Sequence, residues 1–199
     1  MVIRKNLKKK FALISVFNKK DLNYLCSNLV KHNYYFISSG TTGAKIRSLG
    51  YNCIDISKLT KFKEMFDGRV KTLNPLIYSS LLYIRENEVH TKQFLSLNIP
   101  EIDIVVVNLY PFKKYSRRSN KDETIEMIDI GGPSLLRASS KNFKYITPII
   151  DQKDYSKLIK NLDKNNGSTS LSFRKKMALK VFKETSEYDS IISKWLNEN

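Results

Sequence analysis

The heptapeptide Asp103–Leu109 (DIVVVNL) is nearly continuous in β-branched residues. A strand exposed on one face alternates apolar with polar side chains, so an unbroken apolar run asks for cover on both faces, as in a parallel sheet. Parallel neighbours need long crossover connections, usually helices. This one segment therefore demands strands alternating with helices elsewhere in the chain.

The rest of the sequence supplies that alternation. Phe11–Phe17 reads as a buried strand. Leu22, Leu25, Cys26, Leu29 and Val30 then recur at helical spacing, with Asp21 placed to cap the start. Tyr34–Ile37 is a second strand, Ser38–Gly43 a polar turn, and a short helix through Ile46 and Leu49 stops at Gly50. Cys53–Ile56 is a weak third strand, Tyr145–Ile150 a further one, and Asp154–Leu162 a helix. Asn165–Ser170 is a loop before a long helix from about Ser172 to Leu196. There is no internal repeat and no Pro- or Ser-rich linker. The expected architecture is a three-layer α/β fold with a mostly parallel sheet: a basic tail at 1–10, the α/β domain over 11–150, and a C-terminal helical part of the same domain at 151–199.

Composition excludes several classes. With 41% hydrophobic and 27% charged residues the chain is globular rather than disordered. No run approaches the roughly 20 apolar residues of a membrane span. Two cysteines, Cys26 and Cys53, make neither a disulfide framework nor a four-cysteine metal site, and His32 and His90 have no ligand-like neighbours. Neither a metal nor another cofactor is expected. The net charge of +16 is the one anomaly. Lysine outnumbers arginine, asparagine, isoleucine and tyrosine are plentiful, and the lysines are spread along the chain, so drift in an AT-rich genome explains more of it than a nucleic-acid footprint. No zinc-finger spacing or aromatic-basic motif supports specific nucleic-acid binding. Arg4, Lys5 and Lys8–Lys10 before Phe11–Phe17 mimic a signal peptide, but Asn18-Lys19 stands where a cleavage site belongs. The expected location is the cytoplasm, with no membrane partner.

Ligands of open α/β sheets bind beyond the carboxyl ends of the strands. After the first strand come Asn18 and Lys19. After the second, Ser39-Gly40-Thr41-Thr42-Gly43 offers hydroxyls before a helix N-terminus, suited to a phosphate, although an ordinary capped connection looks the same. Gly68-Arg69-Val70-Lys71-Thr72, if extended, projects two cations from one side with Val70 in the core, and such a pair needs an anion. Asn108-Leu109-Tyr110-Pro111-Phe112 follows the strongest strand. Ile128-Asp129-Ile130-Gly131-Gly132-Pro133 opens a helix reaching Arg137 and Lys141, with a proline suited to the first turn and glycines that let a ligand approach the backbone.

Taken in order, Ser15-Val16, Ser39-Gly40-Thr41-Thr42, Asp67–Leu73 (DGRVKTL), Val107–Phe112 (VNLYPF), Ile128–Pro133 (IDIGGP) and Arg137-Ala138 to Lys141-Asn142 resemble the bifunctional purine-biosynthesis family with AICAR formyltransferase and IMP cyclohydrolase activities. The resemblance runs from about Phe11 to Leu196 and is to the cyclohydrolase domain alone, so a chain without the formyltransferase half is expected. It implies a methylglyoxal-synthase-like fold and closure of a formamido-imidazole-carboxamide ribotide (FAICAR) to inosine monophosphate (IMP) and water. That chemistry asks for proton shuttles and an oxyanion stabiliser, without metal or redox cofactor. By resemblance the reacting groups are Lys71, Tyr110, Asp129 and Lys141. Lys141 would be proton donor and acceptor, and Asp129 would take the carboxamide proton or hold the nucleophile. Lys71 and Tyr110 would steady the formyl oxygen and the departing water. Nucleotide contacts carry over to Phe17, Asn18 and Lys19; to Ser39, Gly40, Thr41 and Thr42; to Arg69, Val70, Lys71 and Thr72; to Val107 and Asn108; and to Asp129, Ile130 and Gly131. The resemblance also admits a homodimer and a separately encoded AICAR formyltransferase as partners.

This chain departs from the family pattern at several places. Phe17 and Asn18 stand for the usual serine and aspartate, Asn74 for a histidine, Tyr78-Ser79-Ser80 for His-Gly-Gly or His-Ala-Gly, and Phe143 for a histidine. These bear on affinity more than on reaction type. The rival readings are a non-catalytic purine-nucleotide sensor of the same fold, methylglyoxal synthase itself, and a nucleic-acid binder resting on charge alone.

Overall fold

The computed structural model describes residues 9–117 and 120–198. Most of the basic tail at 1–10 therefore lies outside the described residues. Five strands form one sheet in the order β3-β2-β1-β4-β5, and every pairing is parallel, so the sheet is wholly rather than mostly parallel. They are β1 (Lys10–Val16), β2 (Tyr34–Ser38), β3 (Cys53–Asp55), β4 (Ile102–Asn108) and β5 (Thr147–Ile149). The apolar run at 103–109 falls on β4, paired with β1 through Leu13↔Val105 and Ile14↔Val106.

Alternate residues of the central strands serve two cores. Ala12, Ile14, Val16, Phe36, Ile104 and Val106 pack with Leu25 and Leu29 of α1 (Leu22–Lys31) and Leu158 and Leu162 of α9 (Tyr155–Lys164). On the other face, Leu13, Ile37, Val105 and Val107 pack with Ile77 and Leu81 of α4 (Pro75–Leu82) and Leu135 and Leu136 of α8 (Gly131–Lys141). Each of these side chains is almost fully buried, at about 1.5–3 kcal/mol for each one larger than Ala12. The last helix, α10 (Leu171–Glu198), packs against β5 and α8 and sends Met177 to one core and Val181 to the other.

Several local expectations change. Asp21 stands at the start of α1 but in a left-handed conformation (φ 59°), and its side chain makes no capping bond. The Ser39–Gly43 turn is already the first turn of α2 (Gly40–Ser48). The stretch between the third strand and β4 holds α3 (Ile56–Thr60), α4 and α5 (Glu88–Ser96), none of which the apolar pattern announced. Asn74-Pro75 was the readable signal: the Asn74 side chain accepts from the Leu76 N–H, with proline in the first turn of α4. Two short helices, α6 (Phe112–Tyr115) and α7 (Lys121–Ile125), lie between β4 and α8. Among the described residues, no helix is long and apolar enough to cross a membrane and no three His, Cys, Asp or Glu side chains cluster as metal ligands.

Candidate active site at the carboxyl ends of the strands

Backbone anchoring comes first. At the end of β1, Thr42 Oγ1 donates to the Val16 carbonyl at 2.9 Å and accepts from the Val16 N–H at 3.2 Å, pinning the start of α2. Ser38 Oγ donates to the Ile14 carbonyl at 2.6 Å. The Thr42 hydroxyl is thus engaged with β1, while Gly40 and Thr41 are exposed and Ser39 is buried. Between the ends of β1 and β4, Asn18 and Asn108 close a reciprocal pair: the Asn18 N–H donates to Asn108 Oδ1 and Asn108 Nδ2 donates to the Asn18 carbonyl, both at 2.9 Å. The Lys19 ammonium turns back towards the Phe17 carbonyl, 3.3 Å away. Phe17 sets its ring 5.3 Å from that of Tyr110, and both are partly exposed.

Arg69 is not extended. It follows a single 3-10 turn, Phe66–Gly68, and is itself α-helical in conformation, while Met65 and Val70 exchange backbone hydrogen bonds across the turn. Val70 is consequently half-buried rather than a core residue. The two cations of this segment part company. Arg69 forms a two-point pair with Glu126, Nη2 to Oε1 at 2.6 Å and Nε to Oε2 at 3.3 Å. Lys71 Nζ lies 2.6 Å from Glu64 Oε2. Each expected anion partner is, in this structure, a carboxylate of the chain itself.

Lys71 also reaches Gly40, where a Cβ would stand 2.8 Å from its Nζ, and the two residues help line a cleft of about 450 Å³ with Ser39, Asp55, Ser57 and Lys63. The next residue, Thr72, is buried against the start of α8: a Cβ on Gly131 would meet Thr72 Oγ1 at 2.8 Å. At Gly131 close approach excludes a side chain, whereas Gly40 also stands at φ 51°, a conformation that favours glycine.

Asp129 closes the constellation. Its Oδ1 accepts from the Gly132 N–H at 2.8 Å, so close that a Cβ at Gly132 would collide with the carboxyl. Burial raises the Asp129 pKa above the usual carboxylate range, opposed by the Gly132 and Tyr110 backbone N–H groups. A carboxyl so placed accepts a proton more readily than a solvated one. Burial pushes Cys26 up to about 12 and Cys53 to about 11, so neither thiol is a nucleophile.

The fold therefore gathers Lys71, Tyr110 and Asp129 with the segments expected to contact nucleotide: Asn18 and Lys19, Ser39–Thr42, Arg69–Thr72, Asn108, and Ile130 and Gly131. It does not gather Lys141. That residue is exposed at the far end of α8, about 15 Å along the helix axis from Gly131 at 1.5 Å per residue. Phe143 is also at that end, its carbonyl accepting from Arg174 Nε. Sequence reasoning did not single out Glu64 and Glu126, which hold the cations, or Tyr188 of α10, whose hydroxyl accepts from the Asp129 N–H at 2.9 Å.

The model for the MGS-like domain matches residues 21–134, and that described as AICARFT/IMPCHase bienzyme matches residues 139–199. The bifunctional purine biosynthesis protein PurH of Caldicellulosiruptor saccharolyticus is 48% identical over 185 residues, 92% of this chain and 36% of the relative. Its counterpart in Clostridium botulinum is 46% identical over 190 residues, 95% of this chain and 38% of the relative. The chain thus spans little more than a third of these curated relatives. A solved structure described as "Crystal structure of ForH" superposes with a TM-score of 0.85 at 27% identity, covering 94% of this chain and 97% of that one. By matched length and by fold, the chain belongs to the MGS-like domain family, and the part of the bifunctional purine biosynthesis proteins that it resembles is their cyclohydrolase domain.

Proposed function

We propose that this chain is an IMP cyclohydrolase, acting in the cytoplasm without metal or redox cofactor. The observation that carries the reading is the placement of Asp129, a carboxyl with raised pKa at the start of α8, beside the Tyr110 backbone and next to the loop that bears Lys71 and Thr72.

In the reaction the carboxamide nitrogen of FAICAR attacks the formyl carbon and a C–N bond forms. The nitrogen gives up a proton, which Asp129 is placed to accept. The formyl oxygen becomes a tetrahedral oxyanion, which the Lys71 ammonium stabilises once its bond to Glu64 is exchanged for the substrate. That oxygen takes one proton from the Tyr110 hydroxyl and a second from the Asp129 carboxyl and leaves as water, while the formamide nitrogen returns its proton to Tyr110 and the ring C=N bond of IMP forms. The ribotide phosphate would take the backbone N–H groups around Ser39–Thr42 and the Arg69–Thr72 segment. A separately encoded AICAR formyltransferase would supply the formylated substrate, and a homodimer is compatible with this reading.

The test is an absorbance assay for IMP formation from synthetic FAICAR with the purified chain and a chelator. Turnover is expected, and formyl transfer from a folate donor is not. Tight IMP binding without turnover would instead favour the nucleotide-sensor reading, and loss of turnover on chelation, restored by zinc, would overturn the cofactor-free mechanism.

A further inference from the structure

Tyr188 is a single side chain of α10 that holds the segment leading into Asp129 at two points. Its hydroxyl accepts from the Asp129 N–H and donates to the Met127 carbonyl, each at 2.9 Å. The residue is 8% exposed, and its ring stands edge-on to Phe112 at 6.3 Å, with Trp195 against the other part of Phe112 at 5.7 Å. Phe112 lies two residues beyond Tyr110. One helix thereby grips the two loops that carry Tyr110 and Asp129.

We propose that Tyr188 is a positioning residue for Asp129, so that α10 is a working part of the site and not only a cover for the sheet. The proposal rests on the cyclohydrolase reading above. A tyrosine kept for packing alone needs its ring and could turn its hydroxyl to water. Here the residue is buried, and the hydroxyl's donor and acceptor capacities are matched to two backbone groups that flank Ile128 and lead directly into Asp129. The segment Met127–Asp129 lies between α7 and α8, outside any regular element, so removing the hydroxyl strands a donor and an acceptor that have no ladder to join. Burial also pushes the Tyr188 hydroxyl up to about 12, which keeps it protonated and able to donate at neutral pH.

The decisive variant is Tyr188→Phe in the full chain, which keeps the aromatic cluster. Amide hydrogen exchange at Asp129 should quicken at least about tenfold, with the amides of α10 unchanged. FAICAR turnover should fall about 10- to 100-fold, the loss expected when a reacting group is displaced by about an ångström, while IMP affinity stays within about twofold. Trp195→Leu thins the same cluster but keeps the hydroxyl. It should lower Tm and leave the Asp129 amide protected. Unchanged exchange at Asp129 in Tyr188→Phe overturns the proposal. So does quickened exchange with unchanged kcat, and so does a kcat loss fully matched by loss of IMP affinity. If the wild-type chain makes no IMP, the cyclohydrolase reading fails and the catalytic part of this proposal fails with it, whereas the exchange measurement still decides whether Tyr188 fixes the loop.

Discussion

The Lys71 ammonium sits 2.6 Å from the Glu64 carboxylate, in the place where an anionic ligand would be expected. Glu64 is more than half exposed, and such pairs are worth less than about 1 kcal/mol. A phosphate or oxyanion can therefore displace it at little cost. Glu64→Gln should tighten IMP binding by about two- to fivefold, read by isothermal titration, whereas Lys71→Met should weaken it. Equal affinities for wild type and Glu64→Gln would show that the ligand never meets Lys71.

Asp129 sets activity against stability. Its folded-state pKa is raised, chiefly by burial, so the folded state disfavours the carboxylate. Its favourable contribution is complete below the unfolded carboxyl pKa, about 3.9, and is lost as pH rises through the folded value. Asp129→Asn, which can still accept from the Gly132 N–H, should show a higher Tm than wild type at neutral pH, the gap closing in acid. Turnover of the same variant should drop by about 10²- to 10⁴-fold. Thermal melts across pH, set beside the FAICAR assay, check both halves; a lower neutral Tm would show that the carboxylate is welcome where it lies.

Lys141 offers a test of distance. It stands about 15 Å along α8 from the site and is exposed. Lys141→Ala should leave IMP affinity unchanged and turnover within about threefold, since the side chain of one chain cannot reach Asp129. A collapse of kcat at normal affinity would mean that the lysine of a second copy completes the site. Mixing Lys141→Ala with Asp129→Asn would then restore activity.

Far from the site, Asp154 is almost fully buried and bound by Lys157 Nζ at 2.7 Å and Lys180 Nζ at 2.6 Å. Burial would raise its pKa, but the two ammonium groups outweigh burial and lower it. The stability this gives is present above the unfolded carboxyl pKa and lost as pH falls through the folded one. Lys180→Met should cost about 1.5–3 kcal/mol at neutral pH and progressively less in acid. Urea melts at several pH values measure it, and a pH-independent cost would assign the effect to packing.

What could be read beforehand depended on whether a signal was local. The run in β4, the glycines that open α8 and the helical spacing of α1 and α9 each carry their structure in neighbouring residues. The ordered motifs also brought Lys71, Tyr110 and Asp129 to one end of the sheet. Arg69 and Lys71 misled because two residues of even spacing share a face only if the backbone is extended, and the turn at Phe66–Gly68 breaks that condition. Tyr188 shows the other limit. With Val181, Thr185 and Trp195 it falls on the buried row of α10, so spacing announces burial. That its hydroxyl meets the backbone of Asp129, 59 positions away, is a fact of tertiary structure with no local trace.

The two borders of the sheet restrict how the molecule can associate. At one border β3 has three residues, and at the other β5 has three, with Pro148 lacking an N–H and α10 packed alongside. Among the described residues, a long, open row of unpaired amides, which would let strands of separate molecules zip together, is thus missing at both borders. Association by strand addition is therefore disfavoured at both borders, and surface substitutions on the helices, rather than in the strands, are where contacts of any second copy should be sought.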